Sequence, residues 1–219
     1  MIPAKKSIFW EKGFNLFVTR LVKHYFNNIY IQGSPPISTQ RTLFLPNHST
    51  WWDPVIIFLL NRHVLQADSY AMMHESGLKD VPIFQKIGAF SVNKESRRDI
   101  LASLQYAKER LEEGKSVWMF PQGDEHHLEQ RPLAFQSGAA YLAKKVEEIQ
   151  IVPVALYYTF QSSRKANVYV SLGNAIHPMD SSLNKSEWNA HLEVISTALL
   201  DNVKSNIIHH NTKDYYPLL

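Results

Sequence analysis

In LFLPNHSTWWDP (residues 43–54), His48 and Asp53 form an acid–base pair five positions apart. An imidazole held through one ring nitrogen by a carboxylate keeps a single tautomer. Its other nitrogen can then take a proton, and no serine nucleophile is needed if that proton comes from a substrate hydroxyl. Fully extended, five residues span about 16 Å, and helix faces repeat at three or four positions. The two side chains therefore meet only if the chain turns between them. The plain alternative is also physical. Asp before Pro is an ordinary N-cap and N1 pair at a helix start, and a loop histidine can simply bond nearby backbone.

The elements around the pair supply the turn. Strands are predicted at 42–46, 69–73, 89–93, 116–121, 149–158 and 167–173, where apolar and β-branched residues cluster. Helices are predicted at 54–62, 76–86, 97–113, 135–147 and 186–206. In the third, Ile100, Leu104, Ala107 and Leu111 form one stripe, which Gly114 closes. Such alternation predicts an α/β fold: a mostly parallel central sheet flanked by helices. In such sheets functional groups gather where strands end.

Residues 9–30 read as an N-terminal amphipathic helix, with Phe14, Phe17, Val18, Leu21, Tyr25 and Ile29 at helical spacing among Lys12, Arg20 and Lys23. A basic, aromatic-rich helix suits a membrane interface, and the same stripe could equally cover the core. The expected organisation is a single domain over 1–219. It comprises an amphipathic segment at 1–32, a Pro/Ser-rich break at 32–41 and an α/β body over 41–219.

Composition removes several classes. The 219 residues include no cysteine, which excludes disulfides, thiolate metal sites and a cysteine nucleophile. A net charge of +3 is too mild and unclustered to suggest nucleic acid, but suits anionic lipid headgroups or an acidic carrier. The longest apolar run, VIIFLL at 55–60, is far short of a membrane span. Lys5 and Lys6 are not followed by a signal-like apolar core. The expectation is a cytoplasmic protein lying on a membrane face. DEHH (124–127) contains metal-ligand types, but adjacent loop residues rarely close a site, and no metal is expected.

Four blocks in order carry a family resemblance: NHSTWWD (47–53), GAFSVNK (88–94), FPQG (120–123) and IVPVAL (151–156). Together they resemble the glycerolipid acyltransferases, the group that includes lysophosphatidic acid and glycerol-3-phosphate acyltransferases, with their His-x₄-Asp motif. The resemblance covers roughly residues 43–157. It implies that His48 deprotonates an acceptor hydroxyl, which attacks the thioester of acyl-CoA or acyl carrier protein, with Asp53 orienting the histidine. No cofactor is implied. Backbone N–H groups near the Gly123 turn are candidates for the oxyanion. Trp51 and Trp52 are candidates for the acyl chain.

The acceptor side departs from the family pattern. Lys94 stands where the family has an arginine, and a lysine meets phosphate as a point charge. The third block commonly continues Glu-Gly-Thr-Arg, but here reads Gln122, Gly123, Asp124, Glu125. Arg97, Arg98 or Arg131 could restore the missing charge for a lysophospholipid. Otherwise the acceptor carries no phosphate and is a glycolipid or another hydroxylated lipid. A silent lipid-binding scaffold of the same fold and a thioesterase are the alternative functions.

Overall fold

The computed structural model describes residues 1–34, 39–178 and 183–219. Residues 35–38 of the predicted Pro/Ser-rich break lie outside them. Among the described residues, eight strands form one sheet in the order β4-β3-β5-β2-β6-β7-β1-β8. The central strand is β2 (Thr42–Pro46), parallel to β5 (Ser116–Trp118) on one side and to β6 (Gln150–Thr159) on the other. Beyond β5, β3 (Ser69–His74) and β4 (Ala89–Val92) continue the parallel run. On the other wing, β7 (Ala166–Leu172) is antiparallel to β6, β1 (Phe26–Gln32) is parallel to β7, and β8 (Tyr216–Pro217) is antiparallel to β1. The mostly parallel α/β expectation holds.

Alternation along β2 sends Leu43 and Leu45 to one face of the sheet and Phe44 to the other. The first face is covered by α5 (Arg97–Glu112), α6 (Gly138–Lys145) and α7 (Lys185–Ile208), through Leu104, Leu111, Leu142, Trp188 and Leu192. The second is covered by α1 (Ile8–Tyr25) and α2 (Asp53–Leu60). Burial on both faces explains why TLFLP lacks a polar alternation. Helix α2 is apolar nearly all round, with Val55, Ile56, Ile57, Leu59 and Leu60 buried. At about 1.5–3 kcal/mol for each such side chain, it is a rigid base for whatever its first turn carries.

Several predicted boundaries move, each for a local reason. The N-terminal helix stops at Tyr25, and Phe26–Gln32 is a strand within the sheet. There Phe26, Ile29 and Ile31 are buried, and pairing with β7 outweighs the helical reading of the same apolar positions. The helix predicted at 76–86 is two, α3 (Glu75–Asp80) and α4 (Ile83–Lys86). Pro82 lacks a donor and holds Val81 out of helical geometry. The strand predicted at 116–121 ends at Trp118. Beyond it, the Phe120 carbonyl accepts from Gly123 N–H in a turn rather than continuing a ladder. The helix predicted at 135–147 starts only at Gly138; before it Ala134 has φ 58, Phe135 N–H donates to Glu193 of α7 and Gln136 N–H to the Pro121 carbonyl, which holds this stretch as a loop. α2 ends at Leu60 and continues as a π-helical turn, Asn61–Leu65.

Because β2, β3, β4 and β5 are parallel, their C-terminal ends open on one edge of the sheet. His48, Lys94 and the turn at Gly123 follow those ends in sequence, and His74 is the last residue of β3.

Candidate active site

Asn47 extends β2 with its side chain. Its Nδ2 donates to the Leu156 carbonyl at 3.0 Å, and its Oδ1 accepts from the Leu156 N–H at 2.7 Å. The chain then leaves the sheet at His48. His48 N–H donates to Gln122 Oε1 at 2.7 Å, and its carbonyl accepts from His126 N–H at 3.0 Å. The loop after β5 therefore grips both sides of the histidine backbone. The imidazole stacks on Phe120, with centroids 4.1 Å apart and planes 20° from parallel.

His48 Nδ1 lies 2.9 Å from Asp53 Oδ2. An ionised carboxylate only accepts, so Nδ1 carries the proton and Nε2 keeps its lone pair. The same Oδ2 accepts from Ser49 N–H at 2.6 Å and Thr50 N–H at 2.9 Å. The simple N-cap reading of Asp53 is corrected here. The turn begins earlier, with Trp52 already in helical geometry and Ile56 N–H bonded to its carbonyl. Asp53 thus becomes the first helical residue, and its carboxylate folds back over the preceding loop.

Asp53 has no exposed surface. Its other oxygen, Oδ1, accepts from Tyr158 Oη at 2.6 Å. Burial, and then the charge and hydrogen bond of Asp53, push the Tyr158 pKa well above its ordinary value, so the phenol stays a donor. A buried carboxylate is tolerable only with such partners. With two loop N–H groups, a phenol and an imidazole around it, Asp53 stands as a fixed acceptor that orients His48.

His48 lines a cavity of about 940 Å³. Lys94, Gln122, Gly123, Asp124 and Glu125 line it too, as does Trp51, which is 51% exposed. His48 Nε2 lies 3.9 Å from Glu125 Oε1. A second cavity of about 600 Å³ shares Pro54, Met72, Met73, Phe84 and Phe120 with the first and adds Ile57, Phe58 and Trp118. Beside the polar mouth at His48 the two cavities thus share an apolar wall, while the far side of the second carries Lys6, Glu11, Arg62 and His63.

The cavity gathers some expected residues and not others. Gln122 is buried, with its Oε1 engaged on His48, so it holds the histidine. Gly123 has φ +80, and a Cβ there would crowd Gln136 at 3.3 Å. Its N–H donates to Phe120 O at 3.1 Å and is not available to an oxyanion. Among the described residues, the N–H groups of Asp124 and Glu125 meet no acceptor within the protein.

Trp52 packs on Tyr25 and Phe26, under α1 and outside the cavity lining. Arg97 and Arg98 are exposed on the first turn of α5, also outside it. Arg131 is tied to Asp201 of α7 and to the Leu128 and Gln130 carbonyls. None of the three arginines lines the cavity beside Lys94. Asp124 pairs with Lys94, and His126 meets His48 through its backbone, so the DEHH run does not converge. Among the described residues no cluster of three His, Cys, Asp or Glu is placed to hold a metal.

Tyr158 and Asn47 are not legible as site residues from spacing. The available signal for Tyr158 is the period of two in β6, which puts it on the face of Val154 and Leu156, where α2 packs.

A family model described as Acyltransferase matches residues 28–157. Among solved structures, the chain is similar to the crystal structure of the 1-acyl-sn-glycerophosphate (LPA) acyltransferase PlsC from Thermotoga maritima. The two are 18% identical with a TM-score of 0.66, over 89% of this chain and 79% of that one. No curated protein sequence matches.

Proposed function

The chain belongs to the acyltransferase family, and we propose that it moves a fatty acyl group from acyl-CoA or acyl carrier protein to a hydroxyl of a membrane lipid. The observation that carries this reading is the 2.9 Å bond from His48 Nδ1 to the fully buried Asp53, which leaves Nε2 as a base at a cavity. The acceptor hydroxyl gives its proton to Nε2 as its oxygen attacks the thioester carbonyl. A tetrahedral intermediate forms, the C–S bond breaks, and the departing thiolate takes the proton from His48. A thiol is a good leaving group, so one histidine suffices as base and acid, and no cofactor is required. Asp124 and Glu125 N–H groups are the candidates to meet the oxyanion. The acyl chain is assigned to the apolar space past Phe120 and Trp51, where each buried methylene contributes about 0.8 kcal/mol.

Helix α1 supports docking on a membrane. Its inner stripe, Phe14, Val18 and Val22, is buried against the sheet, while Ile8, Phe9, Leu16 and Phe17 are exposed. Lys12, Arg20 and Lys23 are exposed beside them, a pattern suited to anionic headgroups on a cytoplasmic face. Among the described residues no helix is long and apolar enough to cross a membrane.

The decisive assay follows thiol release from acyl-CoA or acyl carrier protein with and without lipid acceptors. With no cysteine in the chain, a thiol reagent reads only released carrier. Acceptor-dependent release that disappears in His48→Ala is expected. Release independent of acceptor would make the protein a thioesterase, and no release with either donor would reduce it to a lipid-binding scaffold.

A further inference from the structure

The charges around His48 fit poorly with a phosphate-bearing acceptor. Among the described residues lining its cavity, Lys94 is the one Lys or Arg, against the carboxylates Asp80, Asp124 and Glu125. Lys94 Nζ is already engaged, donating to the Gly123 carbonyl at 3.0 Å and pairing with Asp124. The hydrogen bond from Lys94 holds the Asp124 carboxyl below the usual aspartate range, so the one cation of the cavity already has a carboxylate partner. Glu125 Oε1 stands 3.9 Å from His48 Nε2, and the arginines at 97, 98 and 131 lie outside the cavity lining.

A phosphate placed beside His48 would face Glu125 and Asp124, with the charge of Lys94 already matched by Asp124. An ammonium headgroup would meet the opposite difficulty at Lys94. A neutral headgroup with several hydroxyls meets neither. The carboxylates accept from hydroxyls, Lys94 donates to one, and Gln136 and Ser137 complete a lining of neutral polar groups.

We infer that the acyl acceptor is a lipid with a neutral, polyhydroxylated, glycosyl-type headgroup, held by Glu125 and the Lys94–Asp124 pair so that one hydroxyl lies at His48 Nε2. This rests on the acyl-transfer reading above. A hydroxyl neighbouring the reacting one donates to Glu125, fixing the sugar while His48 removes the proton. A C–O bond forms at the acyl carbon, the C–S bond breaks, and the proton leaves on the thiol, giving a sugar ester.

The test uses the full chain with palmitoyl-CoA and palmitoyl-acyl carrier protein in turn. Three acceptors of equal chain length are compared: dodecyl β-glucoside, lauroyl lysophosphatidic acid and a twelve-carbon sphinganine. Thiol release and ester product are both followed. The glucoside is expected to give kcat/KM at least 10-fold above the other two. Glu125→Gln should raise KM for the glucoside several-fold, and Asp124→Thr/Glu125→Arg should move the glucoside-to-lysophosphatidate ratio at least 10-fold toward the phosphate. Both side chains are mostly exposed, and the wild-type comparison decides without the variants. Preference for lysophosphatidic acid or for the amine overturns the inference and leaves acyl transfer standing. Absence of ester with every acceptor overturns both.

Discussion

The Tyr158 hydroxyl donates at 2.6 Å to Asp53 Oδ1, reaching across 105 residues of sequence to a carboxylate whose other oxygen bonds His48. The C-terminal end of β6 thus holds the acid that the first turn of α2 carries. Tyr158→Phe removes that donor without changing the packing volume, leaving one oxygen of a fully buried carboxylate unpaired. It should destabilise the fold by about 1–3 kcal/mol and lower kcat with little change in KM. Urea unfolding and steady-state kinetics check both; a variant as stable and active as wild type would show that Asp53 does not need the phenol.

His48→Ala should reduce the acceptor-dependent rate by about 10²–10⁴-fold, the usual worth of a general base. Asp53→Asn should cost comparably. An amide cannot accept from Ser49 N–H, Thr50 N–H and Nδ1–H as a carboxylate does, so the imidazole loses its fixed tautomer. Rate measurements with circular dichroism separate lost chemistry from lost fold.

Gln122 acts through the His48 backbone. Gln122→Leu strands the His48 N–H, and should cost about 1–3 kcal/mol of stability along with much of kcat. Gln122→Glu keeps an acceptor in the same place and should stay within several-fold of wild type. A large loss in the Glu variant would mean that the amide does more than accept one bond.

The two faces of α1 should separate stability from membrane binding. Phe14, buried and in edge contact with Phe58 and Phe84, should cost about 3–5 kcal/mol when replaced by Ala. Phe9→Ser/Phe17→Ser, on the exposed side, should leave unfolding nearly unchanged. The double variant should instead weaken flotation with vesicles of phosphatidylglycerol. Equal flotation of this variant and wild type would remove the membrane role of the helix.

Acid sensitivity has an identifiable contributor in Asp68. Burial raises its pKa, but hydrogen bonds from Lys115 and Lys6 outweigh that and leave it below the ordinary value. A depressed carboxylate contributes stability that is complete above its unfolded pKa, near about 4, and is lost as pH falls through the folded one. Asp68→Asn should therefore flatten the decline of unfolding free energy below about pH 4. Unfolding curves across pH 2–6 would show it, and an unchanged slope would assign the acid limb to other groups.

Residues at short range were readable in advance. The alternation of apolar runs with amphipathic stretches gave the parallel sheet and its helices, because burial on both faces leaves a periodic mark. The His48–Asp53 pair acquired meaning from the later blocks that accompany it. The pairing itself is local: only four residues lie between the two side chains, and the turn at Trp52 closes the distance.

What lay beyond reach was decided by distant strands meeting. Residues 26–32 look helical by their apolar spacing and become a strand only because β7 offers a ladder. Tyr158 and Asn47 carry no motif, yet one completes the buried carboxylate and the other ties the end of β2 to β6. The arginines offered as phosphate clamps face elsewhere: Arg97 and Arg98 are turned to solvent by the rotation of α5, and Arg131, in a loop, is drawn to Asp201 of α7. The chain order alone thus determined the fold class and the two residues of the acid–base pair. Tertiary packing alone determined which charges share a cavity with His48, because electrostatic neighbourhood is a matter of distance in space and not of sequence.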